Sequence, residues 1–203
     1  METVDLAQIE RVIADGAAAL EAADVPYVLI GGAASAIRGR PRVSDDVDFL
    51  VKQTDADRAL DALADAGFDT EKTNPQWIYK ATRGDVTIDL MFWLMGDFYF
   101  DDTMLGRSTR EHYGDAEVTV AAAEDLIVIK LLAHDEQSYR HWHDALALLG
   151  LNEIDWDYLL ERGRVTPRRL LSLLLYAQSV DHVVSDDAIH RLYTTLYPDK
   201  VAT

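Results

Sequence analysis

Two short apolar runs constrain this chain most, because each is joined to residues that an ordinary core strand excludes. Tyr27-Val28-Leu29-Ile30 runs directly into Gly31-Gly32, and Asp46-Val47-Asp48 opens the run Phe49-Leu50-Val51. Residues i and i+2 of a strand point to one face, so the Asp46 and Asp48 carboxylates project together, with Val47 on the other face. Two anions held side by side are costly unless cations sit between them. A third acid, Asp89, is an isolated charge inside Val86-Thr87-Ile88-Asp89-Leu90-Met91-Phe92-Trp93. Burying it without a partner costs several kcal/mol, so it requires a cation or a network of donors.

The segments around these runs alternate between strand and helix. Leu6, Ile9, Val12, Ile13, Ala17 and Leu20 recur at helical spacing. Tyr27–Ile30 reads as a buried strand, Ala33–Gly39 as a brief helix, Val47–Val51 as a second strand, and Asp55–Ala66 as a helix that Gly67 stops. Trp77–Ala81 and Val86–Trp93 read as strands parted by the turn Arg83-Gly84-Asp85. From Ala121 onward the segments Ala121–Gly150, Asp155–Gly163, Pro167–Val180 and Ser185–Tyr197 all read as helices. The expected fold is α+β: an α/β-type sheet module over residues 1–120, followed by a helical module over 121–203 packed against it. A chain of 203 residues can bury a core of its own.

Composition removes several chemistries. The chain has no Cys, which excludes disulfide frameworks, thiol nucleophiles, iron–sulfur clusters and cysteine zinc sites. No run of about 18 apolar residues occurs, and the opening Met1–Gly16 is an acidic amphipathic stretch rather than a leader or a membrane span. The expected location is the cytoplasm, with no membrane partner. Acidic residues outnumber basic ones 36 to 19, a net charge of −17 that opposes nucleic acid. His134-Asp135 and His143-Asp144 lie too close together to form the distributed metal site of an HD-type phosphohydrolase.

The chemistry concentrates between Gly31 and Val51. A strand that ends in Gly-Gly and turns into a helix presents backbone N–H groups and a helix N-terminus to an anion, and the missing Cβ atoms let phosphate oxygens approach. Arg38, Arg40 and Arg42 form the densest run of positive charge in the chain, and their guanidinium forks suit triphosphate oxygens. Paired carboxylates with oxygen-only ligands suit Mg²⁺ or Mn²⁺. With Asp89 on a neighbouring strand, the cluster becomes the three-carboxylate arrangement that two-metal phosphoryl-transfer sites use.

Together these residues resemble the nucleotidyltransferase superfamily related to DNA polymerase beta. Within it, Gly31-Gly32-x-Ala34 followed by Arg42-x-Ser44-x-Asp46-Val47-Asp48 resembles the bacterial and archaeal branch that contains abortive-infection and toxin–antitoxin nucleotidyltransferases. Further on, Ala123-Glu124-Asp125-Leu126, Lys130 and Arg140 to Asp144 resemble later motifs of that branch. Asp45 is an additional carboxylate directly before the motif pair, and the polar stretch between Lys130 and Asp144 is longer than the branch's usual loop.

The resemblance implies transfer of an NMP group from an NTP, with Mg²⁺ or Mn²⁺ held by Asp46, Asp48 and Asp89. Asp89 would also assist deprotonation of the attacking group. Gly31, Gly32, Arg42 and Ser44 would cradle the triphosphate, and Lys130 would offset its charge. The implied acceptors are tRNA, a protein hydroxyl or a small molecule, and the implied partner is a cognate antitoxin if the chain is a toxin. The competing reading is a non-catalytic nucleotide-binding or interaction protein that keeps the fold. The presence of all three carboxylates favours the enzyme.

Overall fold

A computed structural model describes residues 6–39, 41 and 46–198. The chain divides into two compact units: one runs to Ile37 and resumes over Pro41–Ala122, the other comprises Arg38–Arg40 and Ala123 onward.

The first unit is built on a seven-stranded mixed sheet. Helix α1 (Leu6–Ala22) leads into β1 (Tyr27–Leu29), α2 (Gly31–Arg38) and β2 (Asp46–Val51). Helix α3 (Ala56–Asp65) then precedes β3 (Asp69–Asn74), β4 (Ile78–Arg83) and β5 (Val86–Met91), and α4 (Asp102–Arg107) precedes the hairpin of β6 (Thr109–Tyr113) and β7 (Ala116–Val120). The strand order is β3-β4-β5-β2-β1-β7-β6. Strand β2 runs parallel to β5 and antiparallel to β1, and β1 runs parallel to β7.

The pleat separates the two faces of the central strands. Val47, Phe49 and Val51 of β2 and Val86, Ile88 and Leu90 of β5 are buried. Helix α1 lies close against this face: a Cβ on Gly16 would meet Ile88 at 2.8 Å and Phe49 at 3.0 Å. Any larger residue there would require the Ile88 side chain to shift. Asp46, Asp48, Thr87 and Asp89 occupy the alternate positions and so share the opposite face.

The second unit is helical: α5 (Ala123–Ala133), α6 (Arg140–Leu151), α7 (Trp156–Arg162), α8 (Pro167–Ser179) and α9 (Asp186–Leu196). Its most buried helix is α5, in which every residue from Ala123 to Leu131 is inaccessible, Glu124, Asp125 and Lys130 included. Each of these three polar groups has a partner. Glu124 accepts from the Asp155 amide at 2.8 Å, and Asp125 accepts from Tyr158 Oη at 2.8 Å and Arg162 Nε at 2.7 Å. Lys130 pairs with Asp144 at 3.0 Å. The helical stretch expected over Ala121–Gly150 is broken between α5 and α6, where the Asp135 carboxylate accepts from the Gln137 and Ser138 amides and so forms a turn. Among the described residues, no helix is long and apolar enough to cross a membrane.

Candidate active site

Strand register brings the three acids together. In the parallel β2–β5 pair, Asp48 lies directly opposite Asp89, and Asp46 lies opposite Thr87. Each of Asp46, Asp48 and Asp89 offers a carboxylate oxygen within 4.8 Å of those of the other two. Asp46 is exposed, Asp89 half-buried, and Asp48 buried. The cluster therefore grades from solvent into the sheet across one sheet face.

The loop between β1 and α2 closes over the buried member. The Ile30 amide donates to the Asp48 carbonyl at 2.9 Å, which sets Gly31 against the Asp48 side chain. Gly31 has φ = +67°, and a Cβ built there would fall 1.7 Å from Asp48 Oδ2. The sequence places the helix after the glycine pair, whereas α2 starts at Gly31 itself. Its first turn closes through the Ala34 amide on the Ile30 carbonyl at 3.3 Å, and the Ser35 hydroxyl donates to the Gly31 carbonyl at 2.7 Å. The pair is thus the first turn of a helix whose beginning lies against a carboxylate. The N-terminal end of a helix favours that charge.

The partner that Asp89 requires is Lys80, which the sequence reading did not single out. Lys80 on β4 stands opposite Asp89 in the antiparallel β4–β5 ladder, and its Nζ donates to Asp89 Oδ1 at 2.7 Å. Glu71 on β3 is in register with Lys80. One row of the sheet thus reads Asp48, Asp89, Lys80, Glu71 across four strands. A signal for Lys80 was available. Gly84-Asp85 is a two-residue connection that pairs Arg83 with Val86, and counting outward along the hairpin puts 80 opposite 89.

Of the other expected site residues, Gly32 is buried in the first turn of α2. Lys130 lies in the second unit, paired with Asp144. Arg42 and Ser44, together with Arg40 and Asp45, lie outside the described residues. Arg162, Arg164, Arg168 and Arg169 form a second basic cluster; Arg162 is held by Asp125, and the Arg169 guanidinium donates to the Leu131 carbonyl and, at 3.1 Å, to that of Leu132. Arg164, Arg168 and Arg169 are exposed.

Three carboxylate oxygens this close form a donor set that fits Mg²⁺ or Mn²⁺.

A family model described as an uncharacterised nucleotidyltransferase matches residues 8–180. No curated protein matches the chain in sequence. Among solved structures, the chain is similar to an antigenic nucleotidyltransferase-like protein from Paracoccidioides brasiliensis, at 16% identity over 91% of this chain and 97% of that one, with a TM-score of 0.63. It is also similar to the antibiotic-resistance factor ANT(2'')-Ia, at 15% identity over 98% and 96% of the two chains and a TM-score of 0.52. A third similar structure is JHP933 from Helicobacter pylori, at 18% identity over 98% and 97%, with a TM-score of 0.51. At such identities the likeness concerns the fold, a mixed sheet with flanking helices of the nucleotidyltransferase type.

Proposed function

The chain belongs to a family of nucleotidyltransferases described as uncharacterised, and from that premise we propose that it transfers an NMP group from an NTP to an acceptor hydroxyl and releases pyrophosphate. The observation that carries this reading is the convergence of Asp46, Asp48 and Asp89 within 4.8 Å on one sheet face. Asp46 and Asp48 would hold Mg²⁺ or Mn²⁺, with Asp89 as the third ligand. Divalent ions bound there supply charge neutralisation for the triphosphate and for the oxygen that attacks it.

The remaining work falls to the chain itself. Gly31 and Gly32, at the start of α2, offer backbone N–H groups to the triphosphate. Arg42 and Ser44 take their triphosphate role from the resemblance. Lys130, to which the resemblance gives a like role, lies in the other unit with its ammonium paired to Asp144. Asp89 accepts the proton of the attacking hydroxyl on its carboxylate, with the nucleophile and the α-phosphorus set in line. The carboxylates all belong to the sheet unit, and we assign the chemistry to that unit.

The acceptor is a protein hydroxyl or a small molecule in preference to tRNA. A net charge of −17 and the engagement of Arg162 and Arg169 within the protein both weigh against RNA. If the chain acts as a toxin, expression should arrest growth, and a cognate partner should relieve the arrest.

The test is to incubate the protein with each α-labelled NTP and cell extract, with and without Mg²⁺, and to treat the product with RNase or protease. The expected result is Mg²⁺-dependent labelling of a product that survives RNase and is lost in Asp48→Asn. Nucleotide binding without transfer in any extract would instead identify a non-catalytic binding protein.

A further inference from the structure

Lys80 is placed where a metal-binding carboxylate site would not need a lysine. It sits opposite Asp89 in the sheet, 2.7 Å from its Oδ1, so a cationic head already touches one of the three carboxylates. Resting on the metal reading above, we propose that Lys80 is a built-in cation of this site: it neutralises Asp89 while divalent ions are absent and competes with them for that carboxylate.

Three features carry the proposal. The contact belongs to the hairpin rather than to a chance surface conformer, because the β4–β5 ladder pairs residues 78–83 with 86–91 without interruption. The Lys80 side chain is 40% exposed and that of Asp89 15%, so the ammonium has solvent to move into while the carboxylate stays in the sheet. Glu71, in register with Lys80 on its other side and exposed, offers a second carboxylate about 5 Å across the strands for a displaced ammonium. Loading the site is then an exchange of one cation for another. A free divalent ion gains less from Asp89 than an empty carboxylate would give it, whereas an ion arriving with a triphosphate brings contacts that offset the exchange. The site thereby favours the metal–NTP complex over free metal.

The experiment is Mn²⁺ binding to the chelator-treated full chain without nucleotide, followed by electron paramagnetic resonance, for wild type, Lys80→Met, Lys80→Arg and Asp48→Asn. Removing a positive charge in contact with a ligand should tighten Mn²⁺ binding about tenfold in Lys80→Met. Lys80→Arg should stay as weak as wild type, a distinction that a purely structural role would not produce. Should Lys80→Met fail to fold, Lys80→Gln gives the same comparison while keeping a hydrogen-bond donor for Asp89. Equal or weaker binding in the uncharged variants, with Asp48→Asn weaker still, overturns the role of Lys80 and leaves the metal site standing. Asp48→Asn binding Mn²⁺ as wild type does, or no binding by either wild type or Lys80→Met, overturns both.

Discussion

Gly31 is constrained twice over, by a backbone angle of φ = +67° and by the Asp48 carboxylate at the place its Cβ would fill. The two constraints can be separated by comparison with Gly67, which has φ = +87° but whose Cβ would come no nearer than 3.9 Å to Arg83. Gly67→Ala meets backbone strain alone and should cost about 1 kcal/mol. Gly31→Ala must in addition push Asp48 aside, so urea denaturation should show at least twice that loss, and nucleotide binding should fail even in the folded fraction. Equal costs at the two positions would mean that the Asp48 contact is relieved easily. The sequence announced much at this scale. A carboxylate in the middle of Val86–Trp93 has to find a partner, and Asp46 with Asp48 has to share a face. That Asp89 joins Asp48 was legible only through the family resemblance, because spacing alone does not say that two strands far apart in the chain become parallel neighbours.

At the scale of elements, α5 shows how a helix can be buried on every side and still carry charge. Lys130 and Asp144 are almost wholly inaccessible and 3.0 Å apart. Removing one member strands the other, so Lys130→Met should destabilise the protein by about 3 kcal/mol. Lys130→Met combined with Asp144→Leu should recover most of that loss, and the measurement is a double-mutant cycle by urea denaturation. Additive losses would mean that the two groups do not depend on each other. The helices other than α4 were legible from their apolar residues, and the central strands from apolar runs that end at glycine or a turn. Strand β3 was not, since Asp69-Thr70-Glu71-Lys72-Thr73-Asn74 is polar at every position and lies exposed at the sheet edge. A strand of that kind is held by its ladder with β4 rather than by burial, and so leaves no periodic trace. The hairpin of β6 and β7 hid for a related reason. Only Val118 and Val120 supply alternation, and β6 is mixed and largely exposed.

For the whole molecule, the dominant property is charge. With 36 acidic against 19 basic residues, and with Arg162 and Arg169 engaged internally, the protein should hold a labelled tRNA no more tightly than about 10⁻⁴ M near 0.15 M salt. Fluorescence anisotropy at 0.05 and 0.2 M salt checks this, and micromolar affinity with a steep salt slope would return RNA to the front as the acceptor. The strand order has a further consequence, for how the molecule forms. The β4–β5 hairpin closes through a two-residue connection, whereas β2 must cross more than thirty intervening residues to reach β5. Local closure precedes distant pairing, so pulsed hydrogen exchange during refolding should protect β4 and β5 before β2. Asp89 would then meet Lys80 early, and the mutual repulsion of three carboxylates would never have to be faced in full: by the time Asp48 docks, one of the charges it approaches has already been answered.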